Sequence, residues 1–104
     1  MKHELIKQLC FERKIKWSVH AATRIQERGI ERTDVINCLE TGEIIENYPD
    51  DFPNPSVLVF GYSVMHKVLH VVAGCDGEYL YIITSYFPTT DKFEADLKTR
   101  KERQ

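Results

Sequence analysis

The stretch VLHVVAGCDGEYLYIITSYF, residues 68–87, decides the fold. Val68 to Cys75 and Tyr79 to Phe87 are rich in β-branched and aromatic residues. Between them stands Asp76-Gly77, a strong tight-hairpin signal, because Gly tolerates positive φ and Asp is favoured beside it. Two strands joined by so short a turn pair antiparallel. Simple alternation along the second strand sets Leu80, Ile82, Thr84 and Tyr86 on one face and Tyr79, Tyr81, Ile83, Ser85 and Phe87 on the other. His70 shares a face with Val68 and Val72, and a lone His there reads first as a hydrogen-bonded structural residue. His66 and His70, four apart, lie about 13 Å apart along a strand and cannot be a ligand pair.

Upstream, Val57 to Tyr62 and Glu43 to Tyr48 read as two further strands, separated by a loop over residues 49–55 that holds three of the four prolines. The N-terminal half keeps a helical period instead. Leu5, Ile6, Leu9 and Cys10 recur at helical spacing over His3 to Phe11. Ser18 is a good N-cap for a helix from Val19 to Arg28, with Gly29 as its left-handed stop. Thr33 can cap a third helix from Asp34 to Thr41, ended by Gly42. Pro88 ends the last strand, and a C-terminal helix is expected from Asp91 to about Lys101. The fold class is therefore α+β, a single domain over residues 1–104, with N-terminal helices packed on a four-stranded antiparallel sheet and a C-terminal helix.

Composition narrows the function classes. The chain has 104 residues, 42% of them hydrophobic and 29% charged, which is the balance of a globular domain. Its longest weakly charged runs, Ser56 to Met65 and Val68 to Cys75, fall short of the roughly 20 residues that span a bilayer. No basic start leads into a long apolar run, so a cytoplasmic location without a membrane partner is expected. Cys10, Cys38 and Cys75 are scattered, with no CxxC, which argues against a disulfide framework and a zinc site. No cofactor is expected.

The formal net charge of −2 hides an asymmetry. Residues 1–28 carry seven Lys/Arg against three acids, residues 29–91 two against ten, and residues 92–104 five against three. If the two ends meet in space they form a basic patch on an acidic body, able to attract phosphate locally. At about 100° per residue, His20, Arg24 and Arg28 line one face of the second helix, while Ala21, Ala22 and Ile25 face the core. Such a row suits a polyanion, since Arg offers phosphate a bidentate fork and His titrates near neutrality. Solvated charges on an amphipathic helix are the plain alternative.

The run from Trp17 to Ile30 (WSVHAATRIQERGI), followed by Asp34-Val35, resembles the "HA…R…eRgI…dV" opening of a small bacterial family, domain-of-unknown-function family 4258. The resemblance continues through GEIIE at residues 42–46, LHVV at residues 69–72 and IITSY at residues 82–86, and covers residues 17–92. It implies a fold of the RelE/ParE toxin type and a partner antitoxin of the MqsA-like kind. Position by position, His20 and Arg24 match the family's HxxxR, Arg28 its next Arg, and Thr84 and Tyr86 its last-strand polar positions. The implied activity is a metal-independent endoribonuclease toxin that cleaves RNA through its own 2′-hydroxyl. His20 would then move the proton, Arg24 and Arg28 would hold phosphate, and Tyr86 or Lys92 would assist the leaving group. A pI of 6.1 sets the chain apart from strongly basic toxins that dock on ribosomes. The other reading is a non-enzymatic protein-interaction domain of the same fold. On the enzyme reading, His20 stands within about 10 Å of Thr84 or Tyr86, because one phosphate must be reached by all of them.

Overall fold

In the computed structural model, which describes residues 1–102, the hairpin of residues 68–87 forms the centre of a five-stranded mixed sheet. The strands are β1 (Ile15–Trp17), β2 (Glu43–Tyr48), β3 (Ser56–Tyr62), β4 (Val68–Cys75) and β5 (Leu80–Tyr86), in the order β1-β5-β4-β3-β2. Strands β2 to β5 pair antiparallel, and Cys75 faces Leu80 across the turn. Asp76 builds that turn: its Oδ1 accepts the amides of Glu78 and Tyr79 at 2.8 and 2.9 Å, and Gly77 takes φ +95°.

Three helices, α1 (His3–Phe11), α2 (Val19–Glu27) and α3 (Arg32–Thr41), cover one face of the sheet. The core between them is built from Ile6, Leu9, Ile25, Val35 and Leu39 against Val57, Val59, Leu69, Val71, Leu80 and Ile82. Ser18 caps α2 by accepting the Ala21 amide at 3.0 Å, and Gly29 closes it at φ +71°. Ile25 is buried, whereas Ala22 is only half-buried. Helix α3 starts earlier than Thr33 would set it, because Glu31 and Asp34 form a reciprocal capping box. Gly42 ends α3 by close approach: a Cβ there would stand 2.4 Å from the Phe60 carbonyl oxygen.

Two expectations are corrected. The sheet has a fifth strand, β1, which pairs parallel with β5 through Ile15↔Leu80 and Trp17↔Ile82. Three residues are too few to show a period, and the partner lies at the far end of the chain. The C-terminal helix is absent. Residues 88–102 form an irregular strap across the sheet face opposite the helices, because Asp96 folds the chain into a turn. Its Oδ1 accepts the amides of Lys98 and Thr99, both at 2.9 Å. Leu97 takes φ +58°, and Phe93 is the strap's one buried anchor among the described residues.

Candidate functional site

The strap covers a second, smaller cluster on the sheet. A bulge makes that cluster, because Val72 pairs with Thr84 while Ala73 pairs with Ile82, leaving Ile83 without a partner. Alternation therefore changes phase along β5. Leu80 and Ile82 face the helices, and Thr84 and Tyr86 face the strap. This corrects the single-face reading of those four residues. Tyr86 stands opposite His70, whose ring meets Phe60, Tyr86 and Phe93 edge-on.

His70 is fully buried and both ring nitrogens are occupied. Nε2 lies 2.7 Å from the Leu97 carbonyl oxygen and Nδ1 lies 3.3 Å from the Tyr86 hydroxyl. A carbonyl can only accept, so Nε2 carries the proton and Nδ1 receives the Tyr86 O–H. Burial pushes the His70 pKa down, opposed by the Leu97 bond and by Glu46 and reinforced by Arg100. The Tyr86 phenol is pushed up by burial, with Glu46 adding to the rise and Arg100 and Arg28 opposing it. The pair is thus a neutral imidazole accepting a hydrogen bond from an un-ionised phenol.

Beside this pair, Arg28, Tyr86, Phe87, Lys92, Phe93 and Arg100 line a cavity of about 290 Å³. Each cation arrives for a local reason. Arg28, at the C-cap of α2, reaches past the end of β1 to where β5 loses its strand neighbour. There its Nη1 donates to Ser85 O at 2.8 Å and Thr84 Oγ1 at 3.0 Å. Arg100 grips Glu46 with two nitrogens, at 3.1 and 3.2 Å. Glu46 stays below the usual carboxylate range: burial pushes it up, but the bonds from Arg100 and Tyr48 outweigh that. The Tyr48 phenol, by burial and its bond to Glu46, rises to about 12. Lys92 has no carboxylate partner among the described residues. The arrangement offers an anion two guanidiniums and an ammonium in a cavity lined by Tyr86, whose hydroxyl donates to a buried neutral imidazole.

Of the residues singled out in the sequence, Arg28, Thr84, Tyr86 and Lys92 come together here. His20 does not join them. It lines a separate cavity of about 560 Å³ with Ser18, Asp51, Phe52, Asn54, Gly74, Tyr81 and Ile83. Arg24 is exposed on α2 and lines neither cavity. Among the described residues no three of His, Cys, Asp and Glu stand close enough to hold a metal ion. No helix there is long and apolar enough to cross a membrane.

The family profile described as Domain of unknown function (DUF4258) matches residues 17–87. The chain belongs to that family. No curated protein and no solved structure is significantly similar to it. The matched DUF4258 region includes Arg28, His70, Thr84 and Tyr86 and stops before the strap that brings Lys92, Leu97 and Arg100.

Two residues of this site escaped the sequence reading. His70 was set aside as a lone core histidine. Extending the register from Cys75↔Leu80 would place it opposite Ser85, and only the bulged Ile83 advances Tyr86 to face it. Arg100 belonged to a charged tail with no visible destination. The basic run of residues 92–103 was the available signal, since a cationic tail following a strand end can fold back over it.

Proposed function

We propose that this chain is a metal-independent endoribonuclease that binds an RNA phosphodiester in the cavity around Tyr86. The observation that carries the reading is that Arg28, Lys92 and Arg100 line one cavity with Tyr86, whose hydroxyl is backed by neutral His70. In this reading the Tyr86 oxygen takes the 2′-hydroxyl proton as its own proton passes to His70 Nδ1. Burial and the Arg100 charge disfavour the resulting imidazolium, and the Leu97 carbonyl and the Glu46 carboxylate offset part of that cost. The 2′-oxygen attacks phosphorus, the P–O5′ bond breaks, and Lys92 protonates the leaving oxygen. The products are a 2′,3′-cyclic phosphate and a 5′-hydroxyl. Arg28 and Arg100 neutralise charge that builds on the phosphorane-like transition state. Tyr86 thus replaces His20 as the proton-transfer residue, and Arg24 has no part in holding this phosphate.

The proposal extends to a RelE/ParE-like fold, a toxin role and control by a cognate antitoxin protein of the MqsA-like kind. Helices on one face of an antiparallel sheet core, with catalytic groups on the last strand, agree with that fold type. A second reading, a non-enzymatic domain that docks a protein, draws on the β3–β4 turn, where Val64 and Met65 are 56% and 80% exposed.

The test is incubation of labelled RNA with the protein in excess EDTA. Fragments ending in 2′,3′-cyclic phosphate are expected, together with binding that weakens steeply as salt rises. A folded protein that neither binds nor cuts RNA at low salt would overturn the proposal and favour the docking domain.

A further inference from the structure

The larger cavity shares β5 with the cationic one. Tyr81, Ile82 and Ile83 line the first, and Tyr86 and Phe87 line the second. From Ile83 to Tyr86 is about 10 Å at 3.3 Å per residue, a distance that a short oligonucleotide spans. Between them Val72 and Thr84 are half-buried on the face that the strap leaves partly open.

The chemistry of the two cavities differs. Among the described residues no Lys or Arg lines the larger one, so it is not built for phosphate. Its walls are Phe52, Pro53, Tyr81, Ile82 and Ile83, and its floor is opened by Gly74, where a Cβ would meet nothing closer than 3.6 Å. Phe52 is 96% exposed and presents an aromatic face to solvent, on a loop tied down at both ends. Asp51 N donates to Tyr48 O at 3.3 Å, and Cys75 N donates to Pro55 O at 3.1 Å. The polar groups are few and separate: Ser18, His20, Asn54 and Asp51, whose Oδ2 holds the Ser56 hydroxyl. An apolar slot with an exposed aromatic wall and a carboxylate acceptor fits a flat heterocycle bearing an amino group.

We infer that this cavity binds a nucleobase carrying an exocyclic amino group, stacked on Phe52 with the amino group facing Asp51. The inference rests on the RNA reading above and adds a base-recognition subsite to it. The strand would run from the cationic cavity along β5, with phosphate at one end and a base at the other. His20 belongs to this subsite as a base contact.

The experiment uses tetramers of deoxycytidylate, deoxyuridylate and an abasic sugar-phosphate, all lacking the attacking hydroxyl, so binding is read without cleavage. The wild type is expected to prefer the cytidylate tetramer to the uridylate one by roughly fivefold or more. Phe52→Ala is expected to weaken the cytidylate tetramer roughly 5- to 150-fold and leave the abasic tetramer unchanged. Gly74→Val, which fills the floor, is expected to reproduce the Phe52→Ala pattern. If Phe52→Ala binds all three tetramers as the wild type does, the subsite is overturned while the phosphate reading stands. If Lys92→Gln leaves binding of every tetramer unchanged, the phosphate reading fails. A cytidylate preference that Phe52→Ala then abolishes would still support the base subsite. Self-association of the wild type, abolished by Phe52→Ala without any change in tetramer binding, would assign the patch to a second copy of the chain and overturn the inference.

Discussion

Replacing Tyr86 with Phe removes one oxygen and separates two effects that the site would otherwise confuse. The first effect is on stability. His70 Nδ1 loses the hydroxyl that donates to it at 3.3 Å and is left buried without a partner. An unsatisfied buried acceptor costs about 1–3 kcal/mol, and the length of this bond places the cost near the lower end, about 1 kcal/mol. For a domain of this size that lowers the melting midpoint by roughly 4–8 °C. The second effect is on rate. A general acid or base contributes roughly 10²–10⁴-fold, equivalent to about 2.7–5.4 kcal/mol in the barrier. Loss of activity should therefore exceed anything the lost stability explains. Circular-dichroism melts read the first effect. Single-turnover cleavage of labelled RNA in EDTA, run well below the midpoint, reads the second. A folded Tyr86→Phe protein that cuts RNA within about threefold of the wild-type rate would refute the assignment of Tyr86.

Three further outcomes follow from the packing. The His70 pKa is lowered in the folded state, so the unfolded chain binds the extra proton first; stability held above about pH 6.5 should fall as pH drops below it, by at most about 1.4 kcal/mol per unit, and His70→Gln should flatten melting curves compared between pH 7 and 5. Gly61→Ala should cost about 1–3 kcal/mol in a urea titration, because its Cβ would stand 2.6 Å from the Cys38 carbonyl oxygen and 2.8 Å from its sulfur; an unchanged midpoint would mean that α3 sits further from β3. Ser18→Ala should cost about 1 kcal/mol, with faster amide exchange at Ala21 than at Ile25, since only the Ala21 amide loses its partner.

Local signals carried most of the fold. Helix α1 spans His3–Phe11 as its apolar spacing requires, and Ser18 and Gly29 bracket α2 because each acts on its own backbone. Asp76 and Gly77 likewise act within a few residues. The failures share a different cause. Strand β1 exists because Trp17 finds Ile82, and the bulge at Ile83 reflects how β4 and β5 fit together, which neither strand shows alone. The strap has helix-compatible residues, yet Phe93 over His70 and Arg100 on Glu46 hold it in another conformation. The same limit shaped the site. Arg28, Thr84 and Tyr86 were visible as polar positions, but the His70–Tyr86–Leu97 chain joins residues 16 and 27 positions apart from His70. His20 looked catalytic by residue type, and only geometry moves it to the other cavity.

The location of the bound phosphate tests the account most directly, and the salt dependence of RNA binding reads it. In a fluorescence titration of a short single-stranded RNA, the log–log slope against salt changes by about 0.7 for each phosphate contact removed. Combining Arg28→Gln with Lys92→Gln should make the slope shallower by about 1.4, whereas Arg24→Gln should leave it at the wild-type value. A slope that flattens in Arg24→Gln and stays unchanged in the double variant would place the RNA on the outer row of α2 and contradict the cavity around Tyr86.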